Sequence, residues 1–174
     1  MMHKLGDKIL VLGCSGSGKS TLTRALAKKL NLPVIHMDIH FWNENWVETP
    51  KVEWREKVKK LSEKNQWIMD GTFSSSLDLR FPFADTIIIL NFSRVICLYR
   101  AIRRVFKYSK KYRRSDMAIG CDEKVDFDFY KYIWKYNQKT MPRIMDALDE
   151  YDCRHKVIYL NNNHELKSFL KNLI

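Results

Sequence analysis

The sequence predicts an α/β fold, a parallel sheet wound by helices on both faces, with a phosphate-binding loop after its first strand. Three observations predict it. Short apolar runs alternate with helical segments along the chain, the pattern of βαβ units. The run Thr86-Ile87-Ile88-Ile89-Leu90 is continuous and rich in β-branched residues, as a strand covered on both faces must be. The segment Gly13-Cys14-Ser15-Gly16-Ser17-Gly18-Lys19-Ser20 fits G-x-x-x-x-G-K-[ST] and lies between an apolar run and a helical one, the context that makes the pattern a phosphate loop.

Taken in order, Ile9–Leu12 reads as the first strand. Thr21–Leu30 reads as a helix, because Leu22, Ala25, Leu26 and Leu30 recur on one face. Pro33 stops it. Val34–Met37 is the second strand. Pro50 begins a helix with Val52, Val58 and Leu61 apolar. Trp67–Met69 is a short third strand and Thr86–Leu90 the fourth. Arg94–Lys110 reads as a basic helix, residues 111–125 as a loop, and Phe127–Leu148 as a helix that contains Pro142. Val157–Leu160 is the fifth strand, and His164–Leu173 closes the chain as a helix.

Composition narrows the class. The chain has 174 residues, of which 45% are hydrophobic and 29% charged, enough apolar content for one domain with a sizeable core. Cys14, Cys97, Cys121 and Cys153 show no zinc or redox spacing and are expected as free thiols. Residues 1–8 are polar, unlike a secretory leader, and no run reaches the ~20 apolar residues of a membrane span. A cytoplasmic location with no membrane partner is therefore expected. A net charge of +11 implies a polyanionic partner, either nucleotide phosphates or a nucleic acid.

In such sheets ligands bind beyond the carboxyl ends of the strands. Backbone N–H groups from Gly13 through Thr21 form a nest for phosphate oxygens, aided by the helix N-terminus. Lys19 can reach the β- and γ-phosphates and the Ser20 hydroxyl can ligate Mg²⁺. After the second strand, Asp38 and His40 are expected to point the same way in an extended segment, with Asp38 as general base or as a ligand of the acceptor. Phe41, Trp42 and Trp46 either stack on a base or cover the edge of the core. After the third strand, Asp70 is expected to hold Mg²⁺ through a water, and Gly71 to let substrate approach the backbone. After the fourth, Arg94, Arg100, Arg103, Arg104, Lys107, Lys110, Lys111, Arg113 and Arg114 follow with no acid among residues 94–115. Arg100 and Arg104 share a helix face and suit phosphoryl oxygens.

These residues resemble a known family. Gly13–Ser20, Asp70-Gly71 and Arg100-x-x-x-Arg104 are similar to the adenylate-kinase-like group of small phosphate-loop kinases. A set of further blocks resembles bacterial proteins called DNA topology modulation proteins: Met37-Asp38-Ile39-His40, Trp67-Ile68-Met69-Asp70-Gly71-Thr72, Ala84-Asp85-Thr86-Ile87-Ile88, Arg94 with Cys97-Leu98-Tyr99-Arg100, Arg114-Ser115-Asp116-Met117 and Gly120-Cys121. The resemblance implies a P-loop NTPase fold with a five-stranded sheet in the adenylate-kinase order, one domain over residues 1–174, and a mobile lid near residues 111–125. It implies that Arg100 and Arg104 flank the nucleotide, that Arg113 and Arg114 are lid arginines, and that Asn161 with Asn162 and Asn163 lies near the adenine. Adenylate kinases continue Asp-Gly with Phe-Pro-Arg. Here Thr72-Phe73 follows and the next arginine is Arg80, so an acceptor role for Arg80 is expected in place of an AMP site.

The functional expectation is a small kinase that uses ATP and Mg²⁺ to phosphorylate a nucleoside, nucleotide or other small acceptor. Lys19, Asp70, Arg100, Arg104, Arg113 and Arg114 would act in catalysis and Asp38, His40, Gly71 and Arg80 on the acceptor side. The rival is an ATP-binding DNA factor that uses the basic segment 94–114. A third is a nucleotide-gated interaction protein.

Overall fold

A computed structural model describes residues 5–108 and 115–173. The chain begins with β1 (Lys8–Gly13), α1 (Lys19–Leu30) and β2 (Val34–His36). It continues through α2 (Met37–Phe41), the short strands β3 (Trp42–Asn43) and β4 (Val47–Glu48), and α3 (Lys51–Ser62). Then come β5 (Trp67–Asp70), β6 (Thr86–Leu90), α4 (Arg94–Tyr108), α5 (Phe127–Glu150), β7 (Val157–Leu160) and α6 (Asn163–Lys171). Five strands form one parallel sheet in the order β2-β5-β1-β6-β7. The step from β1 to β2 runs toward one edge and the step from β6 to β7 toward the other. Right-handed crossovers therefore place α1 and the α4–α5 pair on opposite faces.

The central strands are the most apolar because they are covered on both sides. Ile9, Leu10, Val11 and Leu12 of β1 and Ile87, Ile88 and Ile89 of β6 are fully buried. On α3 the inward residues are Trp54, Val58 and Leu61, while Val52, expected inside, is 74% exposed. The α5 helix runs through Pro142 and stays one element of 24 residues. No helix among the described residues is long and apolar enough to cross a membrane.

Three local expectations change. The second strand stops at His36, and Met37 opens a helix rather than ending the strand. The β3–β4 hairpin was not signalled by a glycine turn; its reversal uses Asn45 and Trp46, both at left-handed φ of 60° and 62°. Asparagine takes this conformation readily and tryptophan does not. The Trp46 indole N–H compensates by donating to the Asp122 carbonyl at 3.1 Å. Within the expected lid, residues 115–126 have no helix or strand, and they are tied down. Asn45 N–H donates to the Gly120 carbonyl and the Cys121 thiol to the Asn43 carbonyl, each at 3.1 Å. The expected lid arginines Arg113 and Arg114 lie outside the described residues.

Arg80 departs most from expectation. It is 0% exposed. Its guanidinium donates to the carbonyls of Gly71 (2.6 Å), Thr72 (2.5 Å), Phe73 (2.8 Å) and Ser76 (3.2 Å). Four of the five N–H donors meet carbonyls and the side chain is fully buried, so the fork is not presented to a substrate. Desolvation pulls its pKa down and Asp78 opposes this. Guanidinium nonetheless stays protonated in proteins, and the carbonyl oxygens here take the place of its water. Arg80 is thus a structural cation. Replacing it with Met should lower unfolding free energy by about 3 kcal/mol or more, because several buried carbonyls lose their donor at once. Lys should not restore the loss, since a single ammonium cannot span a planar fork. Urea unfolding of Arg80→Met and Arg80→Lys measures both.

Candidate active site

The phosphate loop joins β1 to α1 at the point where the path of the chain reverses across the sheet. The Ser17 N–H donates to the Cys14 carbonyl at 3.0 Å and closes the turn. Gly16 has φ 84°, and a Cβ there would stand 2.2 Å from the Cys97 carbonyl oxygen on α4. Close approach to a neighbouring backbone is therefore what demands glycine at this position. The α1 N-terminus begins at Lys19, two residues before the sequence suggests, so Lys19, Ser20 and Thr21 form its first turn.

Lys19 folds back over the head of the loop. Its Nζ donates to the carbonyls of Gly13 at 2.8 Å and Cys14 at 3.1 Å. Arg100 approaches from α4: one nitrogen donates to the Ser17 carbonyl at 3.3 Å, another to Asn163 Oδ1 at 2.9 Å, and the plane lies 5.1 Å from the Phe92 ring. The Ser17 hydroxyl is buried without a hydrogen-bond partner, and its oxygen lies beside Gly13 at the end of β1. The N-terminus of α1, with Lys19 and Arg100 at the loop, is a cradle for an anion. Cys14 and Cys97 are buried free thiols, Cys14 donating to the Ile133 carbonyl and Cys97 to the Phe92 carbonyl. Their mutual interaction pushes the Cys14 thiol up and the Cys97 thiol down, and Lys19 favours the thiolate at both.

Asp70 ends β5 and is 4% exposed. One of its oxygens bonds His36 Nδ1 at 2.9 Å across the β2–β5 pair. Burial works against charge on His36, but the Asp70 bond and the fields of Asp70 and Asp116 outweigh it and raise its pKa. Among the described residues no three His, Cys, Asp or Glu side chains converge on a metal position. A divalent cation here would rest on the Ser20 hydroxyl, the Asp70 carboxylate and phosphate oxygens. Such hard oxygen donors fit Mg²⁺, which keeps several waters and rarely has an all-protein cage.

Other expected residues separate. Asp38 and His40 lie on α2, where positions two apart point about 200° away from each other, so they do not act together. Asp38 is half-buried on α2, and its charge, after burial and Cys14, raises the pKa of Tyr132 on α5. His40 points the other way. Burial, Lys64 and Lys57 lower its pKa. The side of Gly71 that a Cβ would occupy is filled by Met37 at 2.8 Å and the Phe73 ring at 3.0 Å, so packing within the chain requires this glycine, not an approaching substrate. Phe41 packs on Trp42, Trp54 and Phe73 with centroids 4.8–5.0 Å apart, and Trp42 on Trp46 at 5.4 Å, which makes these rings the cover of the core's edge.

Arg104 reaches Glu123 at 2.7 Å, an acid from beyond the basic run. Asn161 is held by Asn91 at 3.0 Å and by Glu165, which accepts from its N–H at 2.8 Å, while Asn163 is the asparagine that meets Arg100. Sequence reasoning missed His36 as partner of Asp70, and Glu123, Thr72 and Tyr136. Thr72 Oγ1 lies 2.9 Å from the Gly13 carbonyl and 3.3 Å from the Tyr136 hydroxyl. Their strand and helix positions were legible, but not which side chains meet across the sheet.

A parallel sheet in this order, with a phosphate loop after its first strand and arginines approaching from the helix after its fourth, is the fold of the small P-loop kinases. The model of the ATPase family associated with various cellular activities (AAA) matches residues 9–71, from β1 to the glycine after β5. The chain is 27% identical over 145 residues to the uncharacterized protein YqaC of Bacillus subtilis, covering 82% of this chain and 80% of that one. Among solved structures, shikimate kinase from Acinetobacter baumannii in complex with shikimate matches with a TM-score of 0.61 at 14% identity, over 95% of this chain and 89% of that one. Shikimate kinase from Bacteroides thetaiotaomicron matches at 0.57 and 18%, over 94% of each chain. A gluconokinase from Sinorhizobium meliloti matches at 0.55 and 14%, over 98% of this chain and 90% of that one.

The glycine contact gives a direct test of the loop. Gly16→Ala should lose ATP binding by at least about tenfold and lower stability by about 2 kcal/mol, from strained φ and a clash with backbone that has no rotamer to move. Calorimetric titration with ATP·Mg and denaturant unfolding check the two effects.

Proposed function

We propose that the protein is a phosphotransferase that moves the γ-phosphoryl group of ATP to the hydroxyl of a small acceptor. What carries the reading is the convergence on one loop: Lys19 over the Gly13 and Cys14 carbonyls, Arg100 at the Ser17 carbonyl, and the start of α1 at Lys19. Phosphoryl transfer asks for position and charge neutralisation more than covalent chemistry. Lys19 and the loop N–H groups hold the phosphates. Arg100 offsets charge that develops on the transferred group, and Arg104 would join it only by leaving Glu123. Ser20, and Asp70 through a water, would hold Mg²⁺, which would supply charge neutralisation at the phosphates. Asp38, on α2 just beyond the carboxyl end of β2, receives or orients the acceptor hydroxyl. Arg113 and Arg114, outside the described residues, are proposed as further phosphate-side cations from the sequence alone.

Two observations favour a neutral acceptor, a nucleoside or sugar, over a nucleotide. Arg80, the first arginine after β5, is sealed against carbonyls. Asp38 brings a negative charge to the acceptor side, which would repel a second phosphate. The same geometry weighs against the DNA-factor reading. Arg94 lies on Trp134 at 4.2 Å, Arg100 serves the loop and Arg104 pairs with Glu123, which leaves Arg103 and Lys107 as the exposed cations of α4.

The deciding experiment adds nucleosides, nucleotides, sugars and polyols singly to protein with ATP·Mg and follows ADP. Acceptor-dependent ADP release is expected. Release that depends on DNA alone would overturn the reading. Lys19→Ala should abolish release while unfolding free energy stays within about 1 kcal/mol, because the ammonium bonds only two loop carbonyls. Asp70→Asn should weaken Mg²⁺-dependent turnover far more than metal-free ATP binding. Equal losses in a Mg²⁺ titration would make Asp70 a structural partner of His36 only.

A further inference from the structure

The β1–β5 ladder ends at the Val11–Asp70 pair, with the Gly71 N–H still reaching the Val11 carbonyl at 3.3 Å. Beyond it the two chains diverge, β1 into the phosphate loop and β5 toward the acceptor side. One side chain continues the pairing past the end of the ladder. The Thr72 hydroxyl donates to the Gly13 carbonyl at 2.9 Å and accepts from the Gly13 N–H at 3.3 Å. It also stands 3.3 Å from the Tyr136 hydroxyl.

Counting donors and acceptors fixes the direction of each bond. A hydroxyl has one proton and two lone pairs. The Thr72 proton goes to the Gly13 carbonyl, so its lone pairs take the Gly13 N–H and the Tyr136 O–H. Burial pushes the pKa of Tyr136 up, so it keeps its proton. The Gly13 carbonyl also has two lone pairs. One takes Thr72, and the other takes Lys19 Nζ at 2.8 Å. The chain of bonds therefore runs from Tyr136 through Thr72 and the Gly13 carbonyl to the Lys19 ammonium. All of it is fastened from behind, since Arg80 holds the carbonyls of Gly71, Thr72 and Phe73.

We propose that Thr72 is a positioning residue for Lys19. Its hydroxyl orients the peptide on which the ammonium rests and so sets where the cation meets the phosphate chain. The proposal rests on the reading of Gly13–Ser20 as the phosphate site. A displaced Lys19 weakens the grip on β- and γ-phosphates and leaves contacts to the rest of the nucleotide alone, and misplacement of about 1 Å can cost as much as a hundredfold.

The test measures affinities for ATP·Mg and AMP by calorimetry, acceptor-free ATP hydrolysis, and thermal midpoints, for Thr72→Val, Thr72→Ser, Tyr136→Phe and Lys19→Ala. Thr72→Val keeps the side-chain shape and removes the hydroxyl. It should weaken ATP at least about tenfold, with ATP hydrolysis falling in step and AMP affinity changing less than about twofold. Thr72→Ser should stay within about threefold of wild type. The proposal is overturned if Thr72→Val binds ATP normally, if it loses ATP and AMP alike, or if Ser is as weak as Val. Should Thr72→Val not fold, Tyr136→Phe decides: a loss of about threefold for ATP with AMP unaltered is expected, and unaltered ATP affinity overturns the proposal. Weak ATP binding by Lys19→Ala with normal binding by Thr72→Val defeats the Thr72 role alone. Normal ATP binding by Lys19→Ala defeats the phosphate-site reading and the Thr72 role with it.

Discussion

Arg80 carries a charge into a place from which water is shut out, and the backbone after β5 bends to meet it. Four carbonyls turn inward to replace the hydration the guanidinium has lost. An unpaired buried charge is among the most costly features a fold can hold. The carbonyls are therefore not free to relax, and Gly71, Thr72 and Phe73 have one available path. That path aligns the Thr72 hydroxyl with Gly13, and Gly13 holds Lys19. A residue remote from any phosphate thus fixes the geometry of the loop that would bind one.

The parts of the fold governed by chain-local rules were legible in the sequence. Ile9–Leu12, Thr86–Leu90 and Val157–Leu160 were read as strands because apolar runs bounded by turn residues have few other solutions. The phosphate loop was legible because its spacing falls between a strand and a helix, although what requires Gly16 is the approach of α4. What was not legible depended on encounters across the sheet. Nothing in the spacing of Arg80 distinguishes a guanidinium aimed at substrate from one aimed at carbonyls. Asp38 and His40 read as extended because they follow the expected strand Val34–Met37, but the chain turns into a helix at Met37, and one change of period divides the pair.

The basic segment after β6 shows how a composition signal can be right in sum and wrong in detail. The run lacks acids, yet Glu123 returns from beyond it to pair with Arg104, and aromatic rings cover Arg94 and Arg100. Charge that reads as a surface stripe is drawn inward where α4 meets the loop and α5. The aromatic residues after β2 follow the same logic. Trp54 is buried and so draws Phe41 and Phe73 into contact, and Trp42 and Trp46 close over them.

The strand order also governs how the molecule comes into being. β1 is made first, yet its neighbours in the sheet are β5 and β6, and β2 lies at the edge. While the chain leaves the ribosome, the first strand and its glycine loop must wait, unpaired, for the segments through Leu90. Loop closure over such a separation is slow and leaves an apolar strand exposed in the meantime. Nascent chains truncated before β6 should therefore be the species that chaperones hold. Nucleotide would have no cradle to enter until the middle of the sequence has been synthesised.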